Sequence, residues 1–265
     1  MTAPVLETLL RRDRAIVAVG LGFLVAIAWG YTFWMSFTMG PGAMGPGNVG
    51  EMAAMPHSAP WSVTEAMVAF VMCSVMMMAM MIPTAAPMTL LFAAIERRRE
   101  FDAAVAARSG LFIGGYVAVW SGFAAMATAA QFVLHASTLL SGETWSVVRP
   151  MGAAILVLAG VYQFTPVKRV CLTYCRSPIE FLSRFWRPGP AGAFRMGLVH
   201  GIFCVGCCWA LMLLLFAAGI MNLLWVAGIM IVVSIEKVLP AGVWLGRAGG
   251  IALIAAGVGL GVAAI

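Results

Sequence analysis

The sequence predicts an all-α membrane protein, a polytopic bundle of about seven transmembrane helices that forms a single membrane domain over residues 1–265. Of the 265 residues, 63% are hydrophobic and only 10% are charged, and the mean hydropathy is +0.99. The charged residues fall in short clusters between long apolar runs, a pattern that suits a lipid environment. Because the basic residues behind the net charge of +6 flank these runs, we expect no nucleic-acid partner.

Seven apolar segments are long enough, or nearly so, to cross about 30 Å of hydrocarbon with ~20 helical residues each. We expect these spans at residues 15–37, 62–94, 109–135, 147–164, 194–218, 221–238 and 246–264. The first resembles a signal peptide, but its apolar run is too long and no clean cleavage site follows, so we interpret it as a retained span. Pro83 and Pro87 interrupt the second span, and we expect Glu236 and Lys237 to pair where the sixth span ends.

The basic residues predict the orientation of the bundle. Alternate loops carry 15 of the 16 Lys and Arg residues, and only Arg149 lies on the opposite side. Because basic loops remain in the cytoplasm, we expect a cytoplasmic N-terminus in a bacterial cytoplasmic (inner) membrane. Segment 39–60, which is rich in Met, Gly and Pro, is then an extracytoplasmic loop, and segment 165–193 is a basic cytoplasmic loop.

Methionine is concentrated in one part of the chain, with 13 of the 20 Met residues between Met35 and Met88. Thioether sulfur is a soft ligand that selects Cu(I) and remains available in an oxidising compartment. We therefore expect the outer loop to capture copper, although a flexible linker would account for the same composition. The residues expected to capture it are Met39, Met44, Met52, Met55 and His57, together with Glu65 near the outer end of the second span.

Sulfur atoms also line one side of the second span. At about 100° per residue, positions four apart fall on the same face of a helix. Two adjacent rows result, one of Met72, Met76 and Met80 and one of Cys73, Met77 and Met81. Their Met-x-x-x-Met pairs resemble the pair that lines the pore of eukaryotic copper transporters, and a deformable packing face is the alternative interpretation.

The fifth span carries His200, Cys204, Cys207 and Cys208, which point into one sector of about 100°. An imidazole and three thiols on one stripe can bind Cu(I) or Zn(II). Buried Cys also occurs as a small apolar residue, but polar groups inside lipid are costly and usually functional. We expect these four residues and the Met residues of the second span to form one site near the middle of the membrane.

The basic loop holds another pair of thiols, Cys171 and Cys175, four residues apart among Lys and Arg residues that favour thiolate. We expect this pair to accept copper that leaves the membrane, with a redox couple or surface thiols as alternatives. None of the six Cys residues is expected to face the oxidising side, so the sequence predicts no disulfide framework.

Four motifs of this sequence together resemble a known bacterial family. They are Met-Met-x-Ala-Met-Met-x-Pro at 76–83, Thr-Pro-x-Lys-x-x-Cys-Leu-x-x-Cys-Arg-Ser-Pro at 165–178, His-Gly-x-x-Cys-x-Gly-Cys-Cys-Trp at 200–209 and Glu-Lys-x-x-Pro at 236–240. The family that the chain resembles consists of predicted metal-binding integral membrane proteins and is catalogued as a domain of unknown function. The resemblance implies a metal-linked role but no reaction, and the assignment of copper comes from ligand softness.

The resulting hypothesis is an integral membrane protein that binds Cu(I) and transports it inward, from the outer loop through the membrane ligands to Cys171 and Cys175. No Walker motif for ATP use is present. Two alternatives remain open: a membrane-embedded oxidoreductase with a copper centre, and a copper chaperone or assembly factor for another enzyme. Zinc and iron are the alternative metals. The expected partners are the lipid bilayer, the metal ion and a protein that delivers or receives copper, and the chain can also form homo-oligomers.

Overall fold

The computed structural model describes residues 3–39, 63–99, 105–136, 149–218 and 223–263. These residues are helical apart from short connections and contain no strand, which confirms the all-α class. The helices are α1 (Ala3–Met39), α2 (Val63–Arg99), α3 (Val105–Ala136), α4 (Arg149–Tyr162), α5 (Pro166–Arg176), α6 (Pro178–Phe185), α7 (Gly189–Met212), α8 (Leu214–Ala218), α9 (Leu223–Val238) and α10 (Gly242–Val262).

Within the described residues, five segments are long and apolar enough to cross a membrane. They are Ala15–Met35, Val63–Arg98, Val105–Leu134, Gly189–Ala217 and Gly242–Val262. A sixth is present only if α4 and α5, which meet at 65°, count together as one bent segment. The described residues therefore give five or six spans, whereas the sequence predicts seven. The difference arises because α4 and α9 comprise 14 and 16 described residues, which at 1.5 Å each fall short of roughly 30 Å of hydrocarbon.

Helix α7 is the most deeply buried of the spanning segments and packs against α3 and α5. Its approach to α3 depends on glycine at both surfaces. A Cβ atom at Gly197 of α7 would lie 1.9 Å from the carbonyl oxygen of Phe112, and one at Gly115 of α3 would lie 2.2 Å from that of Phe194. Small residues of this kind allow helix backbones to approach closely in membranes.

Two prolines, Pro83 and Pro87, lie inside α2. Proline has no N–H group, so Pro83 cannot donate to the carbonyl of Ala79 one turn earlier. The Trp29 side chain of α1 supplies the missing donor, because its Nε1 lies 3.0 Å from the Ala79 carbonyl oxygen. The proline in α2 thus provides a specific docking point for α1.

Replacing Trp29 with Phe tests this docking point. The ring is retained but the donor is lost, which leaves the Ala79 carbonyl unsatisfied, and we expect the free energy of unfolding to fall by about 1–3 kcal/mol. The measurement is an SDS titration of the purified protein in detergent micelles. Trp244→Phe is the matched control, because the Trp244 side chain is 76% exposed. Equal stability of the two variants would show that the hydrogen bond does not hold α1 on α2.

Segment 165–193 contains two amphipathic helices, α5 and α6. Thr165 caps α5 by accepting a hydrogen bond from the Lys168 backbone N–H, and Pro166 occupies the first turn, where its missing donor costs nothing. Each helix buries its apolar side, through Leu172 in α5 and through Phe181 and Leu182 in α6. The segment therefore folds against the bundle, and this packs Cys171 and Cys175 against the buried core.

Candidate functional site

Four thiols from two helices share one buried region around Cys204. The Cys207 and Cys208 thiols donate to the Cys204 carbonyl oxygen at 3.1 and 3.0 Å, so all three residues lie along one side of α7. From α5, the half-buried Cys175 packs against the core cluster that contains Cys204, Cys207 and Cys208. Each of the three α7 Cys residues is only 1% exposed. We call Cys175, Cys204, Cys207 and Cys208 the thiol cluster.

Cys171 lies one helical turn before Cys175 and also faces α7. A Cβ atom at Gly206 would lie 2.7 Å from the Cys171 sulfur, so the glycine is what admits this thiol. The Tyr162 hydroxyl donates to the Gly206 carbonyl oxygen at the same place. The sequence suggested an acceptor pair apart from the membrane ligands, whereas the structure packs Cys171 and Cys175 against the same core that holds the α7 thiols.

Lys237 of α9 brings a positive charge to the thiol cluster. Its Nζ atom donates to the Cys204 sulfur and to the Thr84 hydroxyl of α2, each at 3.0 Å. Lys237 is only 7% exposed. A buried ammonium group is costly unless it has strong acceptors or an anion beside it. Of the two side chains to which Lys237 donates, Cys204 is the one that can carry a negative charge, as a thiolate.

Tyr116 of α3 connects the thiol cluster to α2, the helix that carries the methionine rows. Its hydroxyl lies 3.0 Å from the Cys204 sulfur and donates to the Met81 carbonyl oxygen at 3.0 Å. Tyr116 of α3 and Lys237 of α9, each hydrogen-bonded to α2, therefore meet at the sulfur of Cys204.

The methionine rows of α2 belong to the same continuous core as the Cys residues of α7. Met76, Met77, Met80 and Met81 are buried there together with Cys204, Cys207 and Cys208, and the half-buried Met72 packs against them. Cys73 faces elsewhere, since its thiol lies 3.8 Å from the side-chain oxygen of Gln131 on α3.

His200 occupies an aromatic pocket one turn before Cys204. Its ring stacks on Tyr116 at 5.5 Å between centroids and on Phe112 at 6.0 Å, and meets Phe181 edge-on at 5.3 Å. The Nδ1 atom of His200 is buried without a hydrogen-bond partner among the described residues. The imidazole thus touches the ring whose hydroxyl contacts Cys204, and it lies beside the thiol cluster.

The residues expected to capture copper are only partly described. Met39 is the last residue of α1, and Glu65 is exposed in the first turn of α2. Met44, Met52, Met55 and His57 lie outside the described residues, so capture by segment 39–60 stays a prediction.

The type of ligand bears on which metal the site could hold. Among the described residues, no group of three or more His, Cys, Asp and Glu side chains is arranged to hold a metal ion. Zinc in structural sites almost always takes four ligands, which are often thiolates. Soft thiolates also select Cu(I). The buried thiols are therefore donors of a kind that both ions accept.

Residues 70–260 match the model of the PpoB2 family, described as copper chaperones. The chain belongs to the PpoB2 copper chaperone family. The matched region contains the thiol cluster, Cys171, His200, Lys237 and the Met residues of α2 from Met72 onward, so a copper-related function rests on the part of the chain that forms the site. No curated protein and no solved structure gives a significant match.

The charged residues of this copper chaperone family member pair differently from the sequence expectation. Glu236 contacts Lys168 of α5, with 2.7 Å between Oε2 and Nζ, and Lys237 on the next position turns to Cys204. Lys168 also donates to the Gln163 side chain. Arg176 donates to the carbonyl oxygens of Glu236, Leu239 and Pro240. These contacts fasten α9 to α5 and thereby place Lys237 opposite the thiols.

One feature of the sequence could have indicated that Lys168 and Lys237 belong to the site. Lys168 and Lys237 are the only two lysines among the 16 basic residues. Both are buried in the structure. A lysine within or beside an apolar run is costly and usually has a defined partner. Tyr116 and Thr84 carry no comparable signal.

Proposed function

We propose that this chain is a membrane-embedded copper chaperone that holds Cu(I) with buried thiolates and passes it to a partner protein. The packing of the α5 thiols against the buried α7 thiols, beside the Lys237 ammonium, is the observation that supports this function most directly. We also propose that the long apolar helices span a bacterial cytoplasmic membrane with the N-terminus inside, as the distribution of basic residues suggests.

Copper would bind at a pair of thiolates within the thiol cluster. Binding requires deprotonated thiols, so protons leave as the metal enters. A pair of thiolates around Cu(I) carries one negative charge, and Lys237 lies 3.0 Å from the Cys204 sulfur to balance it. Cys204 is the natural first ligand, because its sulfur contacts both Lys237 and Tyr116 at 3.0 Å.

The graded burial of the thiols supports transfer. Cys204, Cys207 and Cys208 are fully buried, whereas Cys171 and Cys175 on α5 are half-buried. Cys175 packs against the cluster of buried thiols, and Cys171 lies one turn earlier in α5, closer to its first residue. Exchange of Cu(I) between neighbouring thiolates would move it stepwise from the buried thiols to an accessible one, where a recipient protein could take it.

Inward copper transport is a second candidate function. It is favoured by the continuity of the core, in which the thioethers of α2 lie in the same buried cluster as the α7 thiols. Cu(I) flux into proteoliposomes that enclose a Cu(I) probe would support transport. Stoichiometric binding without flux would support the chaperone function.

Cu(I) competition with a chelator tests the proposed function on the full-length protein in nanodiscs under anaerobic, reducing conditions. We expect the wild-type chain to bind Cu(I) and Cys204→Ala to weaken binding by on the order of 100-fold or more, because loss of a direct ligand should cost at least as much as loss of an outer-shell partner. Cys73→Ala is the matched control, since this buried thiol faces Gln131. The proposal fails if the wild type binds no Cu(I), or if both variants lose affinity equally.

A further inference from the structure

The two buried lysines near the thiol cluster, Lys168 and Lys237, have different kinds of partner. Glu236 has its own cation, Lys168, at 2.7 Å, so this neighbouring pair is neutral in itself. The Lys237 ammonium, by contrast, donates to the Cys204 sulfur at 3.0 Å. Its positive charge is thus directed at the place where a metal–thiolate complex would form.

We infer that Lys237 makes the thiol cluster selective for monovalent over divalent metal ions, an inference that rests on the proposed function. Two thiolates and one Cu(I) ion carry a net charge of minus one, which the ammonium of Lys237 neutralises. The same two thiolates around Zn(II) are neutral, and the ammonium then remains as an uncompensated charge in an apolar core. Uncompensated buried charge is strongly unfavourable, so the site discriminates by charge.

A third thiolate would restore neutrality for a divalent ion, but the arrangement of the side chains opposes it. Among the described residues, no three His, Cys, Asp or Glu side chains are arranged to hold one metal ion. The Cys207 and Cys208 thiols are both directed at the Cys204 carbonyl oxygen. A three-thiolate site would have to break these hydrogen bonds, whereas a two-thiolate site can use Cys204 with one neighbour.

The ammonium is held at this position from two sides. The Thr84 hydroxyl of α2 accepts from Nζ at 3.0 Å, on the methionine side of the site. The contacts of Arg176 with the last carbonyl groups around α9 hold the helix end that carries Lys237. A charge held in place discriminates between monovalent and divalent ions better than a mobile charge, because it cannot move away when a divalent ion binds.

The test compares Cu(I) and Zn(II) affinities of full-length protein in nanodiscs, each by chelator competition. Lys237→Gln removes the charge and keeps a donor, and we expect it to lower the ratio of Cu(I) to Zn(II) affinity by at least about tenfold, equivalent to about 1.4 kcal/mol. Lys237→Arg keeps the charge and should retain the wild-type ratio. Arg195→Met, which removes a charge from an exposed position of α7, should also retain it.

The outcomes separate this inference from the proposed function. Absence of Cu(I) binding by the wild type overturns the proposed function itself. Wild-type Cu(I) binding together with an equal loss of both affinities in Lys237→Gln overturns the inference, because a purely structural lysine would affect both ions alike. Lys237→Met provides a second neutral side chain if Lys237→Gln does not yield folded protein, and an unchanged ratio in it counts against the inference.

Discussion

Replacement of Lys168 by Met should lower the free energy of unfolding by about 3–5 kcal/mol, because it leaves the buried Glu236 carboxylate without its cation. The two side chains are only 4% and 2% exposed, with 2.7 Å between Nζ and Oε2. The other oxygen of Glu236, Oε1, has no hydrogen-bond partner among the described residues. The Glu236 carboxylate therefore depends on Lys168 to compensate its charge. The loss of stability should fall at the upper end of the range that single substitutions cause.

An SDS titration in micelles measures this loss, and two further variants show its origin. Lys168→Met combined with Glu236→Gln removes both charges, and we expect it to regain most of the stability, since the penalty comes from the unpaired charge. Arg169→Met removes a neighbouring exposed charge and should change stability little. A double variant as unstable as Lys168→Met would show that the pair acts through its shape and packing.

We expect the ion pair to affect copper binding at the proposed site as well, although neither partner should touch the metal. Lys168 lies on α5 with Cys175, and Glu236 lies on α9 beside Lys237. The pair therefore joins the helix that supplies a thiol to the helix that supplies the balancing charge. Its loss should weaken Cu(I) binding and reduce discrimination against Zn(II), through displacement of both groups.

Features that repeat along one helix could be predicted from the sequence. Long apolar runs predicted the spanning helices, and the helical period of about 100° placed Cys204, Cys207 and Cys208 on one stripe. In the structure, all three residues are buried. The same period placed Met76, Met77, Met80 and Met81 together, and they lie in that core. Burial of a stripe follows from its composition, so these features need no knowledge of the neighbouring helices.

Contacts between helices could not be predicted in this way. No pattern within α9 shows that Lys237 turns to α7 while Glu236 turns to α5, because both residues lie at the same helix end. The position of Cys175 depends on the 65° bend between α4 and α5, which a hydropathy window averages over. The predicted span count differs from that of the described residues because α4 and α9 are shorter there than a span, and apolar composition does not show where a helix ends.

Substitution of Gly197 by Ala should destabilise the bundle by at least about 3 kcal/mol, the upper end of the usual cost of overpacking. The added Cβ atom would lie 1.9 Å from the Phe112 carbonyl oxygen and 2.8 Å from its carbonyl carbon. Both atoms belong to a helix backbone, so no side-chain rotation can relieve the clash. Helices α3 and α7 would have to separate along their whole contact.

That separation should also weaken Cu(I) binding, because the contact of Tyr116 with Cys204 at 3.0 Å bridges the same two helices. Gly114→Ala is the matched control on α3, where a Cβ atom meets nothing within 4 Å. In a helix interior this control should be neutral or slightly stabilising. Unfolding in SDS and Cu(I) competition together measure the effect. Wild-type stability of Gly197→Ala would mean that α3 and α7 are not in backbone contact, and Tyr116 could then not reach the Cys204 sulfur.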